Sequence, residues 1–236
     1  MSDSSEGSNP QDSQAPSARV ARRLNEALEA AGMARFEPAL AARFAAYFSL
    51  LLRWNQRVNL TAIRDEDGIL ATHFVESIAC ARELAAGIVT LLDFGSGAGF
   101  PGIPIALCRP EISVTLAESQ GKKAAFLQEA VRFLALSTRV LGARAESESQ
   151  LYDCVVLRAV DRMSKAVETA ADLVREGGWL ALMTTEPEAT GLQMAAGQSF
   201  SWTRTIPLPG SVERVIVLGQ KNAHASWPNS AMSNLD

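Results

Sequence analysis

Long apolar runs are missing from this sequence of 236 residues: the most apolar stretch, residues 44–52, is far shorter than a membrane-spanning helix of ~20 residues. No apolar segment precedes the first basic residue, Arg19, so a secretory leader is not expected. Cysteine is scarce. Cys80, Cys108 and Cys154 are too few and too scattered for a disulfide framework or a zinc site, and each sits among apolar neighbours as a small buried hydrophobe would. The marks of a disordered or collagen-like chain are absent too, since 47% of residues are apolar and 20% charged. The length admits one large domain, or one domain with a small appendage. The expectation is a soluble, cytoplasmic protein of a reducing compartment, a monomer with no metal and no membrane partner.

A strong excess of base is also lacking, and the net charge of −4 argues against a uniformly basic nucleic-acid binder. The average conceals an asymmetry. Residues 1–18 carry three acids and no base, whereas residues 19–64 carry eight arginines against Glu26, Glu29 and Glu37. A positive segment on an acidic body suits a local polyanion contact, and suits solvated helix faces equally well.

Residues 1–18 hold no large apolar side chain beyond Met1 and are expected to form a disordered tail. From Arg19, Val20, Leu24, Ala27, Leu28 and Ala31 recur at helical spacing until Gly32. A second helix starts at Pro38, a favourable first helical position, and places Leu40, Phe44, Phe48, Leu51 and Leu52 together. A third follows Asp65, with Ile69, Leu70, His73, Phe74, Ser77 and Ile78 on one face. Residues 19–86 therefore read as a helical N-terminal extension.

Beyond residue 87 the period changes. Short apolar runs at 88–94, 112–118, 137–143, 152–158 and 178–184 lack polar alternation, as strands buried on both faces of a parallel sheet do. Helix-compatible stretches at 102–108, 121–135 and 164–176 separate them, which predicts an α/β doubly wound sheet over residues 87–221. Two last strands, joined at Pro209-Gly210, form a terminal hairpin, and residues 222–236 are expected to be a loose tail.

Ligands of such sheets lie outside the carboxyl ends of the strands. The first strand ends in Asp93-Phe-Gly95-Ser96-Gly97-Ala-Gly99-Phe100, where glycines permit a tight turn and close backbone approach. A dinucleotide fingerprint needs a small residue where Phe100 stands, which disfavours a nicotinamide-dependent oxidoreductase. The form of the loop suits S-adenosylmethionine, whose ammonium and sulfonium welcome carboxylates. Glu118, followed by Ser119, ends the second strand and can accept from both ribose hydroxyls. Ala145 and Glu146 stand where an adenine ring would lie, although Glu146 also opens an acidic loop. Arg158 ends the fourth strand amid apolar residues and requires a partner, either a protein carboxylate or an RNA phosphate.

These residues carry a resemblance. Residues 53–65 (RWNQRVNLTAIRD), 73–77 (HFVES), 91–107 (LLDFGSGAGFPGIPIAL), 118–127 (ESQGKKAAFL) and 157–160 (LRAV) are similar to the bacterial small-subunit 16S rRNA guanine-N7 methyltransferases, the glucose-inhibited division protein B family. The resemblance runs from about Arg19 to Gly219. It implies a class I S-adenosylmethionine-dependent methyltransferase (Rossmann-like) fold with a mostly parallel seven-stranded sheet. It also implies cofactor contacts at Gly95, Phe100, Ala145, Glu146 and Arg158, with Glu118 and Ser119 on the ribose side, and an rRNA or assembling 30S subunit as partner. Asp93, Ser96 and Gly97 complete the expected cofactor set.

The chain departs from the family pattern in places. Glu76 and Glu118 stand where many members have Asp, and Leu157-Arg158-Ala159-Val160 where many have Ser-Arg-Ala-Phe. The fifth strand ends in Met183-Thr184 instead of Lys-Gly, so any phosphate contact made there by relatives needs another base here.

On the RNA side, Arg53, Arg57 and Arg64 flank Trp54, Asn55, Asn59 and Thr61, a mixture suited to phosphate contact and base stacking. The competing reading of Trp54 is a cap on the helical core. Asn59 has a turn or site role, and His73 shares a helical face with Glu76 and Ser77, either as a site group or as a structural histidine. Lys122 and Lys123 open a helix against its dipole, which hints at a phosphate. No catalytic residue is singled out. A methyltransferase for another substrate and a non-catalytic ribosome-binding protein remain the alternatives.

Overall fold

The computed structural model describes residues 16–160 and 162–223. Helix α1 (Pro16–Ala30) begins three residues inside the expected tail; the remainder of that segment, residues 1–15, lies outside the described residues. Val20, Leu24 and Leu28 form its buried face. Helix α2 (Pro38–Asn55) starts at the expected proline and buries Phe44, Tyr47, Phe48 and Leu51.

The third expected helix is composite. Asp65 caps a short α3 (Glu66–Ile69) by accepting from the Gly68 N–H at 2.6 Å. A π-helical segment, Leu70–Val75, then leads into α4 (Glu76–Glu83). Such wider turns concentrate at functional positions. This one carries His73.

The sheet domain runs β1 (Thr90–Phe94), α5 (Gly102–Cys108), β2 (Ser113–Ala117), α6 (Gly121–Phe133), β3 (Arg139–Leu141), a 3₁₀ turn (Ala145–Ser147), β4 (Tyr152–Arg158), α7 (Met163–Leu173), β5 (Val174–Thr185), α8 (Glu186–Ala195), β6 (Phe200–Pro207) and β7 (Arg214–Lys221). The seven strands lie in the order β3-β2-β1-β4-β5-β7-β6. β1 to β5 pair in parallel, whereas β7 is antiparallel to both β5 and β6. The terminal hairpin thus exists with its second strand inserted next to β5. Residues 174–176, expected to prolong a helix, belong to β5, and α8 forms over Glu186–Ala195, where no element is expected. Asn222 is not loose: its N–H donates to the Ser199 carbonyl at 2.7 Å and its Oδ1 accepts from Ser201. The rest of the expected C-terminal tail, residues 224–236, lies outside the described residues.

Alternate residues of each strand feed opposite faces. Leu91, Cys154, Val156 and Ala181 join one core, which includes Leu24, Phe44, Phe74, Ile103 and Phe126. Leu92, Val155, Leu157 and Leu180 join the other, closed by Ala166, Val167, Ala170 and Leu192 of α7 and α8. The helices expected as an extension are therefore a layer over one face of the sheet, continuous with its core. Burying both faces of a parallel sheet requires such a layer. Among the described residues no helix is long and apolar enough to cross a membrane.

Candidate functional site

β1 leaves the sheet between β2 and β4, whose chains cross to opposite sides, and this switch point opens a crevice at the carboxyl ends. The loop after β1 turns on Gly95, Gly97 and Gly99, at φ of +75°, +57° and +89°. Gly99 also has no room for a Cβ, which would fall 2.9 Å from the Tyr47 hydroxyl, and that hydroxyl donates to the Ala98 carbonyl. The Ser96 N–H reaches the Ala117 carbonyl at 2.9 Å, tying the loop to β2.

Asp93 braces this loop from beneath. It is buried, its Oδ2 accepts the Gly102 N–H at 3.0 Å, and its Oδ1 has no partner among the described residues. Burial pushes its carboxyl up to about 7, against the opposing pull of Ser96, Gly102 and Arg158. Of the residues expected in the cofactor set, Asp93 is the one that strand geometry turns under the loop, off the cavity wall.

The cavity beside the loop encloses about 620 Å³, within the range of small-molecule sites. Gly95, Ser96, Gly97, Phe100, Glu118 and Ser119 line it, and Ala145 and Glu146 close it from the 3₁₀ turn after β3. The buried Glu118 carboxylate accepts from the Gly97 N–H at 2.9 Å and from the Gln120 N–H at 2.7 Å. Two main-chain donors thus hold a carboxylate at the cavity edge with acceptor capacity to spare.

Arg158 also lies on the wall, but its guanidinium is committed to the protein. It donates to Glu76 Oε2 at 3.1 Å, the Thr72 carbonyl at 2.8 Å and Ser77 Oγ at 3.3 Å. Glu76, fully buried, takes Arg214 on its other oxygen at 2.6 Å. The protein carboxylate foreseen as one partner of Arg158 is Glu76. The HxxES spacing put Glu76 on one helical face with His73 and Ser77; Arg214 carried no such signal.

The comparisons with known proteins agree with this geometry. A family model described as rRNA small subunit methyltransferase G (GidB) matches residues 40–202. The chain belongs to this family. A curated relative, ribosomal RNA small subunit methyltransferase G of Xanthomonas euvesicatoria, is 38% identical over 207 residues, covering 86% of this chain and 95% of the relative. That of Roseiflexus is 46% identical over 143 residues, covering 58% and 61%. Among solved structures, a methyltransferase from Pyrococcus furiosus aligns with a TM-score of 0.56 at 16% identity, over 76% of this chain and 98% of that one. TrmN from Thermus thermophilus aligns at 0.53 and 19% identity, over 64% and 53%. At such identities these structures establish the class I methyltransferase fold alone.

In this GidB-family chain His73 is a brace. Its ring stacks on Phe100 at 5.0 Å and its Nε2 lies 2.7 Å from Thr61 Oγ1, while Nδ1 has no partner among the described residues. Burial, then Arg158 and Arg214, push it down to about 4, which favours the neutral imidazole at pH 7. His73 nevertheless touches the cavity, as does Leu60. The loop bearing Leu60 is fastened by Asn55, whose Oδ1 accepts from the N–H groups of Leu60 and Thr61 at 2.8 and 3.0 Å. Sequence reasoning missed that anchoring role.

The remaining RNA-side candidates separate. Arg53 is held by Glu129 at 3.1 Å and Arg64 by Asn59 at 3.0 Å, while Arg57 is exposed and makes no ion pair among the described residues. These four, with exposed Lys122, lie off the cavity wall; Lys123 lies on it. Trp54 meets Phe126 edge-on at 5.7 Å, which favours its core role. Arg144, Arg162 and Lys165 also line the cavity, and nothing in the local pattern at the start of α7 marked the latter two. Among the described residues no group of three or more His, Cys, Asp or Glu could hold a metal ion.

Proposed function

We propose that this protein transfers a methyl group from S-adenosylmethionine to N7 of a guanine in the 16S rRNA of the small ribosomal subunit. The observation that carries the reading is the Glu118 carboxylate held at the rim of the glycine-loop cavity of a GidB-family chain. The fit to the cofactor rests on that carboxylate and on Gly97, where a Cβ would meet nothing nearer than the Gly95 carbonyl at 3.9 Å, leaving the loop open toward a ligand.

Glu118 accepts from the ribose hydroxyls, Ala145 and Glu146 border the base, and Gly95 to Gly97 admit a ligand close to the main chain. S-adenosylmethionine, when bound, supplies a methyl group already activated on its sulfonium. Guanine N7 is an unprotonated acceptor on the exposed base edge, so its attack releases no proton and needs no general base. The site accords with that demand: His73 is held neutral and Asp93 is sealed beneath the loop. What this chain contributes is alignment, worth roughly 7–11 kcal/mol of a barrier when two reactants are held in line. Phe100, stacked on His73 and tilted against Tyr47, fixes the wall against which the reactants meet.

The test is methyl transfer from labelled S-adenosylmethionine to small subunits lacking the modification, followed by aniline cleavage at N7-methylguanine. A single labelled guanine is expected. Label on another atom or another RNA, or none, overturns the reading.

A further inference from the structure

The cavity wall carries more positive charge than a cofactor needs. Lys123, Arg144, Arg158, Arg162 and Lys165 line it against Glu118 and Glu146, in a chain whose net charge is −4. Arg158 is paired with Glu76, which it shares with Arg214, and Lys165 is paired with Glu168 at 2.8 Å. Lys123, Arg144 and Arg162 make no ion pair or side-chain hydrogen bond among the described residues. S-adenosylmethionine offers a single carboxylate and two positive centres, so the surplus must face another anion.

The two halves of the crevice differ in charge balance. Both wall carboxylates follow β2 and β3, on one side of β1, together with Lys123 and Arg144. The other side, after β4, contributes no carboxylate from the described residues of the wall. The carboxyl end of the next strand brings no charge either: Met183 and Thr184, just before the last β5 residue Thr185, are buried, and the Thr184 hydroxyl donates to Glu188 at 3.2 Å. Arg162 is therefore the one unpaired cation among the described wall residues of that half. Its φ is +53°, a conformation glycine takes freely and a β-carbon strains, and the cation stands there regardless.

We propose that Arg162 grips a phosphate of the RNA strand beside the target base, and so positions the substrate from the half of the crevice that the cofactor leaves free. The proposal rests on the methyl-transfer reading above and adds to it a residue and a contact. Arg162 supplies from the β4–α7 connection the positive charge that the end of β5 lacks.

Two variants test it. Arg162→Gly removes the cation and relieves the backbone, so the loop is retained, and Arg162→Lys restores the charge. With unmodified small subunits as substrate, the glycine variant is expected to raise KM about tenfold, with the loss in KM and not in kcat. The dependence of subunit affinity on salt becomes shallower by about one phosphate contact. Calorimetry with S-adenosylmethionine alone gives an unchanged Kd, and lysine recovers most of the loss. An unchanged KM and salt slope overturns the proposal. So does a weakened Kd for S-adenosylmethionine without RNA, which would place Arg162 on the cofactor carboxylate. If the wild-type protein transfers no methyl group, the functional reading fails by itself. Filter binding of the same subunits to wild type and Arg162→Gly then decides the proposal, equal affinity refuting it.

Discussion

A buried and a half-buried group with opposite displacements, Asp93 and His73, should cancel each other's effect on stability, and separating them is a sharp check on the site's electrostatics. Asp93 is raised from 3.8 to about 7 by burial, and His73 is lowered from 6.5 to about 4 by burial and the two arginines. Between pH 4 and 6.5 the folded chain keeps a proton on Asp93 that the unfolded chain releases. Over the same window the unfolded chain keeps a proton on His73 that the folded chain lacks. The raised acid favours folding at low pH and loses that advantage as pH rises toward 7; the depressed histidine favours folding above 6.5 and loses it as pH falls toward 4. Each has a slope of about 1.4 kcal/mol per pH unit, of opposite sign. His73→Gln retains a donor to Thr61 and exposes the Asp93 slope; Asp93→Asn retains the acceptor for the Gly102 N–H and exposes the His73 slope. Urea unfolding at pH 4.5, 5.5 and 6.5 should show His73→Gln gaining on wild type by about 3 kcal/mol toward the acid end, and Asp93→Asn losing by a similar amount. Two profiles parallel to wild type would refute the assignment of either charge state.

Glu76→Gln leaves Arg158 buried against a neutral amide and should cost about 3–5 kcal/mol, read in a thermal melt as a fall of roughly 6–20 °C. Arg214→Ala should cost under about 1 kcal/mol, because that side chain is 42% exposed. Gly102→Ala sets a Cβ 2.5 Å from Asp93 Oδ2, an overpacking worth about 1–3 kcal/mol in chemical denaturation. Gly97→Asp sets its Cβ no nearer than 3.9 Å to the Gly95 carbonyl and should abolish S-adenosylmethionine binding in calorimetry while the chain stays folded, whereas Arg57→Ala weakens subunit binding alone; equal loss of cofactor affinity in both would refute that division.

Much of this molecule was legible along the chain. Apolar runs in residues 88–94 and 152–158 announced buried strands, Pro38 opened a helix, and the glycines after Asp93 marked the turn, because each signal resides in neighbouring residues. Glu118 was equally readable, since the strand that carries it delivers it to the crevice. Charge state and contact were not readable in this way. Arg158 meets Glu76 across 82 positions and Arg214 meets it across 138, so only the folded chain decides that this arginine is satisfied by protein. The same holds for Asp93, placed under its own loop by the packing of α5, and for His73, made neutral by burial and by guanidiniums from two distant strands. The place of β7 between β5 and β6 is likewise a matter of tertiary pairing. Periodicity and turn chemistry are local and are written in sequence; desolvation and Coulomb coupling act through space, between residues that only the tertiary fold brings together.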